Sequence, residues 1–381
     1  MRVIECSGNP RQIGQATGEA LRDEIAEHIE LFPMRAWEEF TTRLPGFLAT
    51  LTRLAPDVLL EMRATARGAG VDECEILRLN LPLFASNLDL PETDLSSRDL
   101  GAAADVAPDT SGCTNFVCNT GPDGPIWGKN NDGCEPHRPI VARFIRPDGG
   151  IPQLTFTFAG LVATTDGMNA EGVTVGHSSV GSVFQQSDHH VPIRLRAYDV
   201  LSRVRTTAEF VREMTAIPLR GKGYGIVCID AAGAAIGIDA ACPLLQLRAP
   251  TPAAAGLHAV NCYQHPALLH ADRRPPEGKL DAHQRWHFLD QALHAGDGPP
   301  AAVDVSSGCG GAVPRPGAAG TDLAFARKLL HHHGDVVSLC RHGAPLGYHS
   351  EYSMIGLPAS RRLLFCGMHP CLQQYQELVV Q

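Results

Sequence analysis

The hydrophobic period of this chain changes once, at Cys113, and that change limits the folds open to it. Between residues 10 and 88 apolar side chains recur at helical intervals, as in Gly14-Gln15-Ala16-Thr17-Gly18-Glu19-Ala20-Leu21. Further helical patterns run over 47–69 and from Asp72 to about residue 84, with Asp72 as N-cap and Glu75 at the capping-box position. Beyond Cys113 the apolar runs shorten to strand length over 139–146, 153–158, 172–179, 224–229, 234–239 and 244–247, separated by Gly and Asp/Asn turns. Two helices interrupt them at 193–204 and 207–217, the second capped by Thr206 or Thr207. The pattern alone says α+β.

The junction carries chemistry. It reads Ser111-Gly112-Cys113-Thr114-Asn115-Phe116-Val117-Cys118, after a polar, acidic stretch at 89–111 that reads as an exposed linker. Cutting the Gly112–Cys113 bond would give Cys113 a free α-amine beside its thiol. That amine, ordinarily titrating at about 8, can serve as general base for its own nucleophile, so no histidine is needed. Lys129 and Asp132 follow Cys113 by 16 and 19 residues, across a strand, a Gly-Pro-Asp-Gly turn and a second strand. Such a hairpin returns a cation and a carboxylate to the thiol.

Gly-Cys-Thr followed by Gly128-Lys129-Asn130-Asn131-Asp132 resembles the N-terminal nucleophile (Ntn) hydrolases, specifically the acyl-CoA:6-aminopenicillanic acid acyltransferase family. More distantly it is similar to the conjugated bile acid hydrolases and acid ceramidase. The resemblance implies a four-layer αββα sandwich, cleavage at Gly112–Cys113, and two co-folded pieces. These are a helical segment, 1–112, and a core, 113–381, held as a heterodimer. It also implies roles for later residues. Asn261, in Ala259-Val260-Asn261-Cys262-Tyr263, matches an oxyanion-donating asparagine. Arg285, in Asp281-Ala282-His283-Gln284-Arg285, matches an active-site arginine on a helix that Asp281 would cap, where it would hold Asp132 ionised. Arg341, in Cys340-Arg341-His342, is a second-rank candidate. After Asn169-Ala170-Glu171-Gly172 relatives carry a polar group, for which this chain offers His177, Ser178 and Ser179. The second oxyanion donor stays open among these and a backbone N–H.

Composition sets the remaining bounds. A 381-residue chain with 44% hydrophobic and 19% charged residues buries an ordinary globular core. A formal net charge of −9 argues against nucleic-acid binding. No apolar run reaches membrane-spanning length, and Met1-Arg2-Val3-Ile4-Glu5-Cys6 lacks the apolar core of a secretion signal. Twelve scattered cysteines without a Cys-x-x-Cys pair then read as reduced thiols in a cytoplasmic protein. His331-His332-His333 lies near Cys340 and His342, but the spacing fits no zinc pattern, so no metal and no cofactor are expected. Gly308 to Gly320 reads as a surface insertion.

These readings converge on a self-processing cysteine amidohydrolase for a linear amide. Its partners would be a small amide or acyl substrate and its own fragments, with self-association left open. Transfer of the acyl group from a thioester such as acyl-CoA to an amine is the alternative fate. A non-catalytic binding module on the same scaffold is another class. Lys129 stands where the bile-acid and ceramide branches carry arginine and cannot form a bidentate fork, so neither of those specificities is implied.

Overall fold

The computed structural model describes residues 1–34, 36–83, 112–119, 121–184, 186–251, 254, 256–293, 320–343 and 346–381. The acidic linker before Ser111 and most of the 308–320 insertion lie outside the described residues.

Two sheets carry the fold. The first has the order β1 (Arg2–Gly8), β4 (Ile140–Pro147), β5 (Gln153–Phe158), β6 (Asp166–Asn169), β7 (Thr174–Ser179), β10 (Tyr224–Ile229), β11 (Ala235–Ala240) and β12 (Leu245–Arg248). The second runs β13 (Gly256–Ala259), β2 (Thr114–Cys118), β3 (Ile126–Gly133), β15 (Tyr348–Leu357), β16 (Arg362–Gly367) and β17 (Gln376–Val379), with β14 (His342–Gly343) paired to β15. A short ribbon joins β8 (Val191–Pro192) to β9 (Leu219–Arg220).

Alternation along the strands builds the layers. In β4, Val141 and Ile145 face helices while Ala142 and Phe144 face the other sheet. In β10, Ile226 and Cys228 point out, and Val227 and Ile229 point in. In β2, Phe116 and Cys118 face the opposite helical layer and Val117 the inter-sheet core. The first sheet is covered by α1 (Pro10–Ala20), α2 (Arg22–Leu31), α3 (Trp37–Leu54), α4 (Pro56–Ala69), α5 (Glu73–Asn80), α6 (Ile193–Leu201) and α7 (Thr207–Thr215). The second is covered by α8 (Pro276–Ala292) and α9 (Leu323–Leu330). The architecture is the four-layer αββα sandwich.

Several local expectations change. The segment before Cys113 is not only helical, because the seven residues Arg2–Gly8 form β1, an edge strand parallel to β4. Only Ile4 and Cys6 of β1 are buried, too short an alternation to stand out in sequence. The pattern over 47–69 is two helices, since Pro56 starts a new one at its N1 position. Asp72 caps α5 through the Cys74 N–H, but Glu75 pairs with Arg78 rather than closing a capping box. Asp281 is not an N-cap: Pro275 and Pro276 begin α8 a turn earlier, leaving Asp281 inside the helix.

Close approach explains the glycines of α1. A Cβ at Gly14 would lie 2.2 Å from the Glu61 carbonyl oxygen, and one at Gly18 2.2 Å from that of Thr65. The two helices therefore touch backbone to backbone. Beneath them Arg143 of β4 pairs with Glu61 at 2.5 Å, and Tyr198 of α6 donates to the same carboxylate at 2.8 Å. Arg143 also donates to Thr17 Oγ1 of α1 at 3.1 Å, so this buried group ties three helices to the first sheet.

Candidate active site

The β2–β3 hairpin turns at Gly121-Pro122-Asp123-Gly124, where Gly124 adopts φ +73°. Its register sets Asn115 opposite Lys129 and Thr114 opposite Asn130. Extending the ladder by one residue brings Cys113 to Asn131, and the Cys113 Sγ does donate to Asn131 Oδ1 at 3.5 Å. The thiol also approaches the Asp132 carbonyl at 3.8 Å. Cys113 thus sits one strand from the carboxylate, at an end of the inter-sheet core, and lines a cavity of about 390 Å³. Burial pushes its thiol above the ordinary range, with Lys129 opposing that shift.

Alternation sends Lys129 and Asp132 to opposite faces of β3. Lys129 reaches across to the first sheet, donating to the His177 carbonyl and standing 3.6 Å from Asp166 Oδ2. Asp166 accepts from His177 through Nδ1 at 2.8 Å and from the Tyr352 hydroxyl at 2.9 Å. Burial lowers His177 to about 4, so its ring is neutral near pH 7. Asp132 turns the other way and accepts from Ser350 Oγ at 2.7 Å. A β-bulge between Ser350 and Tyr352 shifts the β15 register here, and Glu351 accepts from Asn131 Nδ2 at 2.9 Å.

The arginine beside Asp132 is Arg341, not Arg285. Arg341 Nε lies 3.4 Å from Asp132 Oδ2, an oxygen that accepts no hydrogen bond among the described residues. Arg285 instead donates to the Cys113 carbonyl at 2.7 Å and to Asn261 Oδ1 at 2.8 Å. Its charge reaches Asp132 only at longer range. Asp281, turned inward from α8, joins the two guanidiniums at 2.8 Å to Arg285 and 2.5 Å to Arg341. Burial raises Asp132 to about 6, against the pull of Arg341, the Ser350 hydrogen bond, Arg285 and Lys129.

Asn261 is fully enclosed. Arg285 takes its Oδ1, which orients the amide so that Nδ2 donates to the Ser179 carbonyl at 2.8 Å. His177 and Ser179 line the cavity with Cys113 and Asp132, whereas Lys129, Asn261 and Arg285 stand behind its wall. Gly112 packs so tightly that a Cβ there would lie 2.9 Å from Arg341 Nε. The hairpin residues were legible from spacing. Asn131, Ser350 and Asp166 carried no signal of their own, although Asn131 lies inside the hairpin motif; Asp281 was singled out only as a helix cap, not as the bridge between two arginines.

No protein-family profile matches the chain, and no curated protein does. Solved structures similar to it include a mutant of the conjugated bile acid hydrolase from Clostridium perfringens, at 11% identity and TM-score 0.38, covering 70% of this chain and 92% of that one. A variant of the same hydrolase gives 12% and 0.39 over 70% and 92%. The Caenorhabditis elegans ortholog of N-acylethanolamine-hydrolyzing acid amidase gives 14% and 0.41, over 65% of this chain and 93% of that chain.

Proposed function

We propose that the protein is an N-terminal-cysteine amidohydrolase that activates itself by cutting between Gly112 and Cys113. The observation that carries this reading is the Cys113 thiol at the cavity wall, one strand from Asp132, with its own carbonyl held by Arg285. Ser178 Oγ donates to that carbonyl too, at 3.4 Å. These two donors keep Cys113 in place after the cut, when a new chain end would otherwise fray.

In the reaction the α-amine of Cys113 takes the thiol proton, and the sulfur attacks the substrate carbonyl. Asp132 holds the resulting ammonium through the oxygen that now faces Arg341. We assign the side-chain oxyanion donor to Asn261, whose Nδ2 donates to the carbonyl of the cavity-lining Ser179. The ammonium then protonates the leaving amine, and water hydrolyses the thioester. Lys129 balances charge behind the thiol. Among related families we assign the chain to the side of the acyl-CoA:6-aminopenicillanic acid acyltransferases, supported by Gly112-Cys113-Thr114 and by Arg341 of the Cys340-Arg341-His342 run standing on Asp132.

The lining suggests the substrate class. Phe32, Met34, Leu79 and Leu161 offer an apolar wall, Arg138, Arg194 and Lys222 bring positive charge, and Glu135 and Glu351 join Asp132 as carboxylates in the same lining. An amide with an apolar acyl arm and an anionic amine part, such as an N-acyl amino acid, fits that division. Intact-mass analysis is the primary test: wild-type protein should resolve into residues 1–112 and 113–381 that co-purify, and Cys113→Ala should stay one chain. A wild-type protein that is active yet uncut refutes the mechanism. Assays on N-acyl amino acids and neutral acyl amides, with an amine acceptor and acyl-CoA in parallel, then separate hydrolysis from transfer. Arg194→Gln should raise KM for the anionic substrates only.

A further inference from the structure

Away from Cys113, four side chains converge that the proposed reaction does not use: His333, Cys340, His342 and Cys371. Each presents one ligating atom, and all four atoms lie within 4.8 Å of one another. His342 Nε2 is at the centre, 3.5 Å from Cys340 Sγ and 3.2 Å from Cys371 Sγ. The ring of His333 stands beside it at a centroid distance of 5.0 Å. His369 stacks on His342 at a centroid distance of 3.9 Å.

We propose that this cluster is a structural site for a zinc ion with two cysteine and two histidine ligands. Zinc takes that donor set in tetrahedral geometry, with Zn–S about 2.3 Å and Zn–N about 2.0–2.1 Å, which sets ligand atoms about 3.3–3.8 Å apart. The two His342 contacts already fall near that range, and closing the widest gap of the set requires about 1 Å of side-chain adjustment. Four protein ligands leave no open position, so the ion braces and does not catalyse. Binding releases the two thiol protons to solvent and gives a neutral unit, one Zn²⁺ with two thiolates.

The fold brings the ligands from three places. Leu339 and Cys340 donate backbone hydrogen bonds to the His332 carbonyl at 3.0 and 3.2 Å, folding Cys340 back on the end of α9. β14 supplies His342, and the turn after β16 supplies Cys371. Of the histidine run only His333 takes part: His331 stacks on Tyr375, and His332 packs tilted against Phe288. The linear spacing hides the site because its last ligand lies 29 residues beyond His342. What the ion would brace is the tripeptide Cys340-Arg341-His342, and so the arginine that faces Asp132.

The test reads metal rather than turnover, so it stands or falls separately from the proposed hydrolase. Wild-type and Cys113→Ala protein, purified with reductant, are titrated with Zn²⁺ and with Co²⁺ and analysed for metal content. One zinc per chain is expected in both, and Co²⁺ should show the thiolate charge-transfer and intense visible bands of a tetrahedral site. His333→Ala, at an exposed position, and Cys371→Ser should each weaken zinc by more than the roughly 10–100-fold that loss of an outer-shell partner costs. Either of three results overturns the site: no stoichiometric uptake at micromolar zinc, unchanged affinity in both variants, or a Cys340–Cys371 disulfide in protein handled without oxidant.

Discussion

The placement of Asp132 carries a cost that depends on pH. A carboxyl raised to about 6 binds its proton more tightly folded than unfolded. Its contribution to stability is therefore fully present below about pH 4, the ordinary value, and is lost as pH rises through 6. In a Cys113→Ala background, Asp132→Asn should stabilise the protein at pH 8 by up to ~3 kcal/mol, two pH units' worth, and gain little at pH 4. Thermal melts at the two pH values check this; equal shifts would mean that Asp132 is not strained by burial. Asn261→Ala should leave KM near wild type and lower kcat roughly 10²–10³-fold, the usual cost of one oxyanion donor. Mass must first show the variant to be cut, and near-normal kcat in fully cut protein would move the donor to Ser179, His177 or the backbone. The sequence exposed Cys113, Lys129 and Asp132 because a two-stranded hairpin has a period of two and a short turn. It hid Arg341's role, since Arg341 reaches Asp132 only after Asp281 has been turned inward by a helix that starts at a proline.

At the scale of elements, one buried ion pair links the first sheet to the helices packed on it. Glu61 accepts from Arg143 and Tyr198, with both members of the pair enclosed. Glu61→Ala leaves the Arg143 guanidinium buried without its counter-charge and should cost ~3–5 kcal/mol. Urea denaturation measures it, and a loss under 1 kcal/mol would show that α4 is held by packing alone. Helix existence was readable along 10–88 because amphipathic periodicity is local. The partner of β1 was not, because a parallel strand finds its neighbour through tertiary geometry rather than a turn. The same limit hid the Cys371 contribution to the histidine cluster.

For the molecule as a whole, acid below about pH 4 should act on the bridges that hold the two faces of the site. Burial would raise Asp281, but Arg285 and Arg341 outweigh it and hold the carboxyl down at about 2. Asp166 is likewise held at about 2, burial being outweighed by His177 and Lys129. For groups lowered in this way, stability is present above about pH 4 and drains away as pH falls towards 2. Circular dichroism between pH 5 and 2 should show cooperative loss in that window, shifted upward in Asp281→Asn; a wild-type fold unchanged at pH 2 would remove these bridges from the account. The α+β class was readable because helical periodicity precedes Cys113 and strand-length runs follow it, whereas the four layers were implied only by the resemblance to the Ntn hydrolases. The order of strands within each sheet was not readable.

The pairing of β1 with β4 also has a consequence in time. A chain made from its N-terminus completes Arg2–Gly8 and the helices after it long before Ile140–Pro147 exists. At roughly 5–20 residues per second, that edge strand waits on the order of ten seconds for its neighbour. During the wait the helices that belong on the first sheet have no sheet to cover. Arg2–Gly8 is thus committed, from the moment it is made, to a surface that does not yet exist.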